Sequence, residues 1–524
     1  MILPPLRPFG RSRVPVCTGE EAARFDAMAI DELGVPQPVL MENAGRSAAQ
    51  VLQRLFPGGS VVAVVGAGNN GGDALVLLRT LAAWGRDVRA VIVADRSTPE
   101  SVLHAWDVPS TTDEALGEAG WRGLLAGAAV VVDGILGTGA RGAPRERQAV
   151  AIRCINESKR PVMAMDIPSG VDATTGATPG EAVHADVTVS FGFPKVGTLL
   201  HPGRAHSGRL VAVEIAFPPM DEGGFSGMAV TPAWAQARLP GRGLDTHKNA
   251  VGRVVVVAGR PGMAGAAVLA TRGALRAGAG LVQVCSPSEN RGVLQGAVPE
   301  AIYLDPGDGA ALEDALAQAA AVAVGPGLGT DQGAEALLTR VLDVGAAPLV
   351  ADADALNLLA QGRPSAVSAV ASRRPLLVTP HPGEMSRLLA VGAEQVAGDR
   401  LGVARAAAEA LACTVLLKGA PSVVAGRGDP VLIDLQGSSD LAVAGMGDVL
   451  TGVCVGLLAQ GASTRHAGAL ALYLSGRAAV IAGRGRSLTP PDVLRWLPEA
   501  LAERGEGASD LAFPFVALDL DRAR

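Results

Sequence analysis

The sequence predicts two α/β domains, each a mostly parallel sheet covered by helices, and three observations lead there. Apolar β-branched runs alternate with Ala/Leu-rich stretches through the whole chain, the rhythm of strands joined by crossover helices. At 524 residues the chain exceeds one ordinary hydrophobic core. The rhythm breaks once, after Phe217, where Pro218, Pro219, Gly223, Gly224, Pro232, Pro240 and Gly241 gather with few apolar residues. The expected layout is a first domain over 1–217, a linker over 218–243, a second domain over 244–505 and a patternless tail over 506–524.

Composition narrows the function classes. Hydrophobic residues make up 48% and charged residues 18%, which suits packed cores and argues against disorder. Aromatics are only 3% against 67 glycines, so the cores must be small aliphatics with many tight turns. A net charge of -6 and a pI near 5.7 leave no basic face for nucleic acid. An anionic ligand must therefore be held by local devices such as glycine turns and helix N-termini. The five cysteines form no CxxC pair, which fits a reducing, cytoplasmic setting without disulfides or zinc. Residues 1–16 hold no apolar stretch of signal-peptide type. The apolar run Leu441–Leu458 is broken by Asp448 and by glycines, and reads as a turn plus buried helix rather than a membrane span. The expectation is a soluble intracellular protein. Only four of 45 basic residues are lysines, and only seven asparagines occur, two of them adjacent at Asn69 and Asn70. In a chain so biased, a Lys or Asn marks a place where Arg or Asp does not serve.

In the first half, Val61–Val65, Val88–Val93, Val130–Val132, Val162–Met165 and Val187–Phe191 read as buried strands, with a helix over Ala74–Trp84. The first strand runs into Gly66-Ala67-Gly68-Asn69-Asn70-Gly71-Gly72-Asp73. Such a turn presents free N–H groups and a positive helix end to a diphosphate, so a Rossmann-like three-layer domain is expected. A bare GxGxxG would be a weak signal; two amides among the glycines, closed by an acid, are more specific. Asp133-Gly134-Ile135-Leu136-Gly137-Thr138-Gly139 and Asp166-Ile167-Pro168-Ser169-Gly170-Val171-Asp172 follow two further strands. Both acids lie at the strand ends that open onto ligands in parallel sheets. Asn70, Asp133 and Ser169 together offer hard oxygens to a monovalent or divalent cation. Taken singly, Asp133 and Asp166 also make ordinary turn or helix caps.

These motifs, with Leu40-Met41-Glu42-Asn43-Ala44-Gly45 and Phe191-Gly192-Phe193-Pro194-Lys195, closely resemble the NAD(P)H-hydrate epimerase domain over roughly residues 15–217. The resemblance implies that Asn69, Asn70, Gly71, Gly72 and Asp73 bind the hydrated dinucleotide. It adds Gly137, Thr138, Gly139, Ala140, Arg141, Gly142, Ala143 and Asp166 to that set. It also implies a potassium ion on Asn70, Asp133 and Ser169. Asp166 is the candidate for acid–base work at the hydrated ring carbon. One departure is Ala74, where the family has glycine after the acid of the turn.

In the second half, candidate strands are Val254–Ala258, Leu281–Val284, Ala321–Val324, Pro348–Ala351, Leu376–Thr379 and Thr414–Lys418. Between them stand Thr246-His247-Lys248-Asn249-Ala250, a Gly262–Ala267 turn, Gly325-Pro326-Gly327-Leu328-Gly329, Asp352-Ala353-Asp354-Ala355-Leu356-Asn357 and Thr379-Pro380-His381-Pro382-Gly383-Glu384. Gly445-Met446-Gly447 then turns into a helix whose N-cap or first residue is expected to be Asp448. Free N–H groups at such an end suit a transferring phosphoryl group, with Asp448 accepting the proton of an attacking hydroxyl. As a plain N-cap, Asp448 would carry no chemistry. Lys418, after a buried strand and before Gly419, is placed to meet a nucleotide phosphate, and His381 lies in a rigid turn between prolines.

The order of these motifs resembles the ribokinase-like, ADP-dependent NAD(P)H-hydrate dehydratases over about residues 228–500. The resemblance implies hydrate contacts at Ala266, Gly327, His381 and Asp448, and nucleotide contacts at Lys418, Gly419, Ala420, Pro421, Ser422 and Gly447. ADP with Mg2+ would phosphorylate the ring hydroxyl of the S hydrate. Phosphate would then leave, pushed by the ring nitrogen, giving NAD(P)H and AMP, while the epimerase recycles the R hydrate. Homo-oligomerisation is a further implication. Met446 stands where the family has threonine, and the usual Asn-rich stretch before the helix is missing. Two alternatives stay open at this point. One is a related small-molecule kinase in the second half; the other is a binding module that reuses the first fold without its activity.

Overall fold

A computed structural model describes residues 13–93, 102–218, 224–243, 245, 251–503 and 515–517. The chain divides into two compact units, the first running to Ala233 and taking in residues 515–517 as well, the second running from Trp234 to residue 503.

The first unit is built on β2 (Val61–Val65), β3 (Val88–Ile92), β4 (Ser110–Thr112), β5 (Val130–Gly134), β6 (Val162–Met165), β7 (Val187–Phe191) and β8 (Arg209–Val213). These pair in the order β4-β3-β2-β5-β6-β7-β8, all parallel. Side chains alternate across the sheet. Val61, Ala63 and Val65 join the helices Gln37–Leu55 and Asn69–Ala83 in one core, and Val62 and Val64 join Trp121, Leu125, Ile152 and Ile155 in another. Two cores on one sheet make the expected three layers. The strand order reverses between β2 and β5, and that reversal opens a crevice at their C-terminal ends. A short β1 (Pro15–Val16) pairs antiparallel with β9 (Gly227–Val230). The helix Gly19–Ala27 follows β1, started by a capping box in which Thr18 accepts from the Glu21 amide.

In the second unit the strands run β18-β17-β16-β15-β14-β13-β10-β11-β12. They are β10 (Arg253–Val257), β11 (Leu281–Cys285), β12 (Ile302–Leu304), β13 (Ala321–Val324), β14 (Leu349–Ala351), β15 (Leu376–Val378), β16 (Thr414–Leu417), β17 (Val423–Ala425) and β18 (Val431–Asp434). The order reverses between β10 and β13. The parallel rule ends at β16, because β16, β17 and β18 form an antiparallel meander. The buried helix Met446–Ala459 lies against the helix Ala264–Arg276 through glycines: a Cβ on Gly452 would stand 2.0 Å from the Ala270 carbonyl. No helix among the described residues is long and apolar enough to cross a membrane.

Three expectations need correction or a limit. The segment expected to be linker carries β9 and a short helix, Pro232–Gln236, because the apolar Met228–Val230 between its glycines and prolines makes a buried strand. The stretch expected to be a patternless tail contains β19 (Phe515–Ala517), which pairs antiparallel with β8 and belongs with the first unit. Three residues are too few for a periodicity to be read in sequence. Residues 246–250 lie outside the described residues.

Candidate functional site

In the first unit a cavity of about 450 Å³ opens over the C-terminal ends of β2, β5 and β6. One wall is the glycine turn with Asn69, Asn70 and Asp73; another is Gly137, Thr138, Gly139 and Ala140. Ile30, Leu40, Met41, Phe191, Phe193, Ile215 and Phe217 add apolar surface, and Asp166 and Lys195 supply charge. Gly66 is required by the approach of two strand-end loops, since a Cβ there would meet the Ile135 carbonyl at 1.9 Å. Gly71 and Gly72 are buried inside the helix and do not line the cavity, nor do Arg141, Gly142 and Ala143. Arg141 instead faces Glu20 and Asp172 at 3.6 and 3.9 Å.

Asp166 follows β6 with φ of 63°. A non-glycine residue held there is uncommon and is fixed by its surroundings. Its amide donates to the Val189 carbonyl, the Ser190 hydroxyl donates to its carbonyl at 3.0 Å, and its Oδ1 accepts from the Phe191 amide at 3.0 Å. The Lys195 ammonium donates to the same Oδ1 and, at 2.8 Å, to the Phe191 carbonyl. Lys195 is 3% exposed. Burial alone would lower its pKa, but the charge and hydrogen bond of Asp166, with Asp26 adding, outweigh that and raise it, so it stays an ammonium. Burial pushes the Cys17 thiol up to about 12 and the Asp26 carboxyl up to about 6.

Behind the Gly137 loop, Asp133 and Ser169 are fully buried. The Ser169 hydroxyl and amide donate to Asp133 at 2.6 and 2.8 Å, the Ile135 amide adds a bond at 3.2 Å, and the Leu136 amide donates to the Ser169 hydroxyl at 2.8 Å. Burial raises the Asp133 carboxyl to about 6 in spite of these bonds. Asn70 donates to the Leu136 carbonyl at 2.8 Å, yet its Oδ1 is buried with no hydrogen-bond partner. An orphaned amide oxygen near a buried carboxylate, with neutral oxygens around, fits a hard monovalent cation. Among the described residues no cluster of His, Cys, Asp and Glu suits a transition metal.

In the second unit the C-terminal ends of β13, β14, β15 and β16 bring the other motifs together. Asp352, after β14 and 1% exposed, receives Lys418 Nζ on Oδ1 at 2.6 Å and the Thr451 hydroxyl on Oδ2 at 2.8 Å. A Cβ on Gly447 would stand 3.5 Å from Lys418 Nζ and 3.7 Å from Asp352 Oδ2, so the helix start lies beside the pair. Gly445, with φ of 89°, is the N-cap and Asp448 is the third helical residue, a correction to its expected place. Its carboxylate remains in the first turn, and the adjoining amides have no intrahelical carbonyl to meet. Burial, with Asp352 and Asp354 nearby, raises Asp448 to about 6 although Lys418 pulls the other way. Lys418 itself is raised: burial lowers its pKa, but Asp352 and Glu384 raise it more.

The loop Lys418–Ser422 is held from beneath by buried Arg400, which donates to the Lys418 and Pro421 carbonyls at 2.8 and 3.2 Å. Ser422 closes it on the Gly419 amide and carbonyl at 3.1 and 3.0 Å, leaving Gly419 and Ala420 exposed. Ala266 and Gly327 face each other across the β10–β13 reversal, where a Cβ on Gly327 would sit 3.0 Å from the Ala266 methyl. His381 is the N-cap of Pro382–Leu389, its Nδ1 accepting from the Gly383 amide at 3.0 Å. Burial and the charges of Lys418 and Arg387 lower its pKa, so the ring stays neutral.

Sequence reasoning missed Lys195, Asp26, Asp352 and Thr451. The scarcity of lysine already pointed at Lys195; nothing in the sequence separates Asp352 from Asp354, because only the strand end decides which acid turns inward.

The first half matches the family model described as YjeF-related protein N-terminus over residues 37–197, and the second matches that of NAD(P)H-hydrate dehydratase over 254–498. The bifunctional NAD(P)H-hydrate repair enzyme Nnr of Moorella thermoacetica is 36% identical over 516 residues, covering 92% of this chain and 96% of its own. The Escherichia coli enzyme of that name is 35% identical over 490 residues, covering 89% of each. Among solved structures, an ADP/ATP-dependent NAD(P)H-hydrate dehydratase from Bacillus subtilis, co-crystallised with ATP and Mg2+, is 29% identical with a TM-score of 0.45, over 53% of this chain and 98% of its own. With both halves matched in order and relatives alike across nine-tenths of the chain, this protein belongs to the bifunctional NAD(P)H-hydrate repair enzymes, which join an epimerase to a dehydratase.

Proposed function

We propose that the first unit interconverts the R and S hydrates at the cavity around Asp166, and that the second dehydrates the S hydrate with ADP at Asp448, releasing AMP and phosphate. The carrying observation is that one cavity joins the Asn69–Asp73 turn and the Gly137–Ala140 loop to Asp166. The first two suit a diphosphate. The apolar walls between suit a flat ring, and Asp166 stands within that space as the proton acceptor.

Asn70, Asp133 and Ser169 would hold potassium, which supplies positive charge behind the diphosphate loop. Asn70 Oδ1 is the strongest support, since nothing else satisfies it. In the second unit Lys418 and the exposed Gly419–Ala420 edge would take the nucleotide phosphates beside Gly447, with Mg2+ entering alongside them; Asp448 would accept the proton of the hydrate hydroxyl. Ala266, Gly327 and His381 border the hydrate in this reading. We further propose a cytoplasmic homo-oligomer; the five free cysteines fit a reducing compartment.

The test is recovery of NAD(P)H absorbance at 340 nm from mixed hydrate epimers with Mg2+ and either ADP, ATP or no nucleotide. Complete recovery with ADP supports both sites. Recovery that stops at the share of one epimer removes the proposed role of the first cavity. A stable phosphorylated product would instead favour a kinase.

A further inference from the structure

Inverting the hydroxyl-bearing carbon makes a demand that one carboxylate does not meet. That carbon lies next to the ring nitrogen, so its C–O bond breaks as the nitrogen lone pair forms a C=N bond. The oxygen leaves one face as water and takes up a proton; water then adds to the opposite face and gives one up. Asp166, whose Oδ1 accepts from Lys195 and the Phe191 amide, starts the turnover as the acceptor. A donor must come from another wall of the cavity.

Three acids line that cavity: Asp26, Asp73 and Asp166. Asp73 lies in the first turns of the helix that opens the diphosphate cradle. Asp26 comes instead from the helix Gly19–Ala27 and is close enough to Lys195 and Asp166 for both charges to act on it. The apolar residues Phe25 and Phe193 pack together beside it, with ring centroids 5.7 Å apart. We propose that Asp26 is the second catalytic acid–base residue of the epimerase cavity, giving its proton to the departing hydroxyl while Asp166 accepts one from the water that arrives on the other face. The reverse epimerisation runs the same transfers backwards, and exchange with solvent resets the pair.

The surroundings suit a donor. Burial, opposed by the charge of Lys195 and helped by that of Asp166, raises the Asp26 carboxyl to about 6. Cys17, which Lys195, Asp166, Glu21 and Asp26 all influence, is held near 12 by its burial and does not exchange protons at neutral pH. The proton-bearing form of Asp26 thus persists to about pH 6, above the range of an ordinary carboxylate, and is lost as pH rises through that value.

The inference rests on reading this cavity as the hydrate site, and the experiment separates the two. In the full-length enzyme, Asp26→Asn is expected to lower kcat for epimerisation by about 10²- to 10⁴-fold, with KM within a few-fold. The limb on which kcat falls above about 6 should vanish, while ADP-dependent dehydration of the S hydrate is unchanged. Asp166→Asn is run beside it. If Asp166→Asn epimerises normally, the cavity reading fails. If Asp166→Asn is inactive but Asp26→Asn keeps kcat within about threefold and the wild-type pH profile, only the role of Asp26 fails. An effect on KM alone, with the profile intact, also overturns it. Should Asp26→Asn lose the melting transition of the first unit, Asp26→Glu decides: a displaced pH limb supports the proposal and an undisplaced one overturns it.

Discussion

Lys418 and Asp352 meet at 2.6 Å although their strands, β16 and β14, are not neighbours in the sheet. The link passes over the end of β15, and Thr451 from the buried helix adds a second bond to Asp352 at 2.8 Å. Asp352→Ala would leave a largely buried ammonium without its carboxylate. Breaking such a pair from one side costs about 3–5 kcal/mol. Urea unfolding should report a loss of that order in the second unit, and dehydration should fall, while epimerisation by the first unit continues.

Asp448 is the proposed base of the dehydratase, so its ionised form is the active one. Burial beside Asp352 and Asp354 raises it to about 6. Dehydration by the wild type should therefore fall as pH drops through about 6, higher than for an ordinary carboxylate. Asp448→Asn should lower kcat by about 10²- to 10⁴-fold at every pH, with epimerisation intact. A wild-type rate in that variant would remove Asp448 from the chemistry.

Potassium is expected to stabilise the first unit without any substrate present. A ligand at about 100 times its Kd adds ~2.7 kcal/mol to the folded state. Thermal melts in potassium chloride should exceed those in tetramethylammonium chloride, an ion too large for the site. Asn70→Ala should erase the difference, because it deletes the orphaned Oδ1.

The Ala74 methyl fills the space beside Gly134. A Cβ on Gly134 would stand 2.7 Å from the Ala74 methyl and 3.2 Å from the Asn70 carbonyl. Gly134→Ala should destabilise by about 1–3 kcal/mol. Adding Ala74→Gly should recover part of it, with a coupling of about 0.5–3 kcal/mol in a double-mutant cycle. Strict additivity would show that the two positions do not share the space.

The parts of this molecule legible in the sequence are those written in local patterns. Buried parallel strands show as unbroken β-branched runs such as Val61–Val65, and ligand loops show as glycine motifs such as those after β2 and β5. The edges and the shortest strands were not legible. β4 is the polar Ser-Thr-Thr, β12 and β17 have three residues each, and β1 has two, so no period develops. Site residues at motif centres, Asp166 and Asp448, lie where strand ends and helix starts are expected to put them. The exact cap did not follow, because Gly445 with its positive φ takes that role. Partners delivered from far along the chain, such as Asp26 for Asp166 and Thr451 for Asp352, leave no trace in local spacing.

β19 carries a consequence for how the molecule is made. The strand beside it, β8, leaves the ribosome before the whole second unit, whereas Phe515–Ala517 emerges after it. During synthesis the first unit must wait with one sheet margin unpaired, and an unpaired margin is where nascent chains join wrong partners. β19 acts as a late seal, and a ribosome that stalls within the second unit would release a first half carrying its cavity but an open β8.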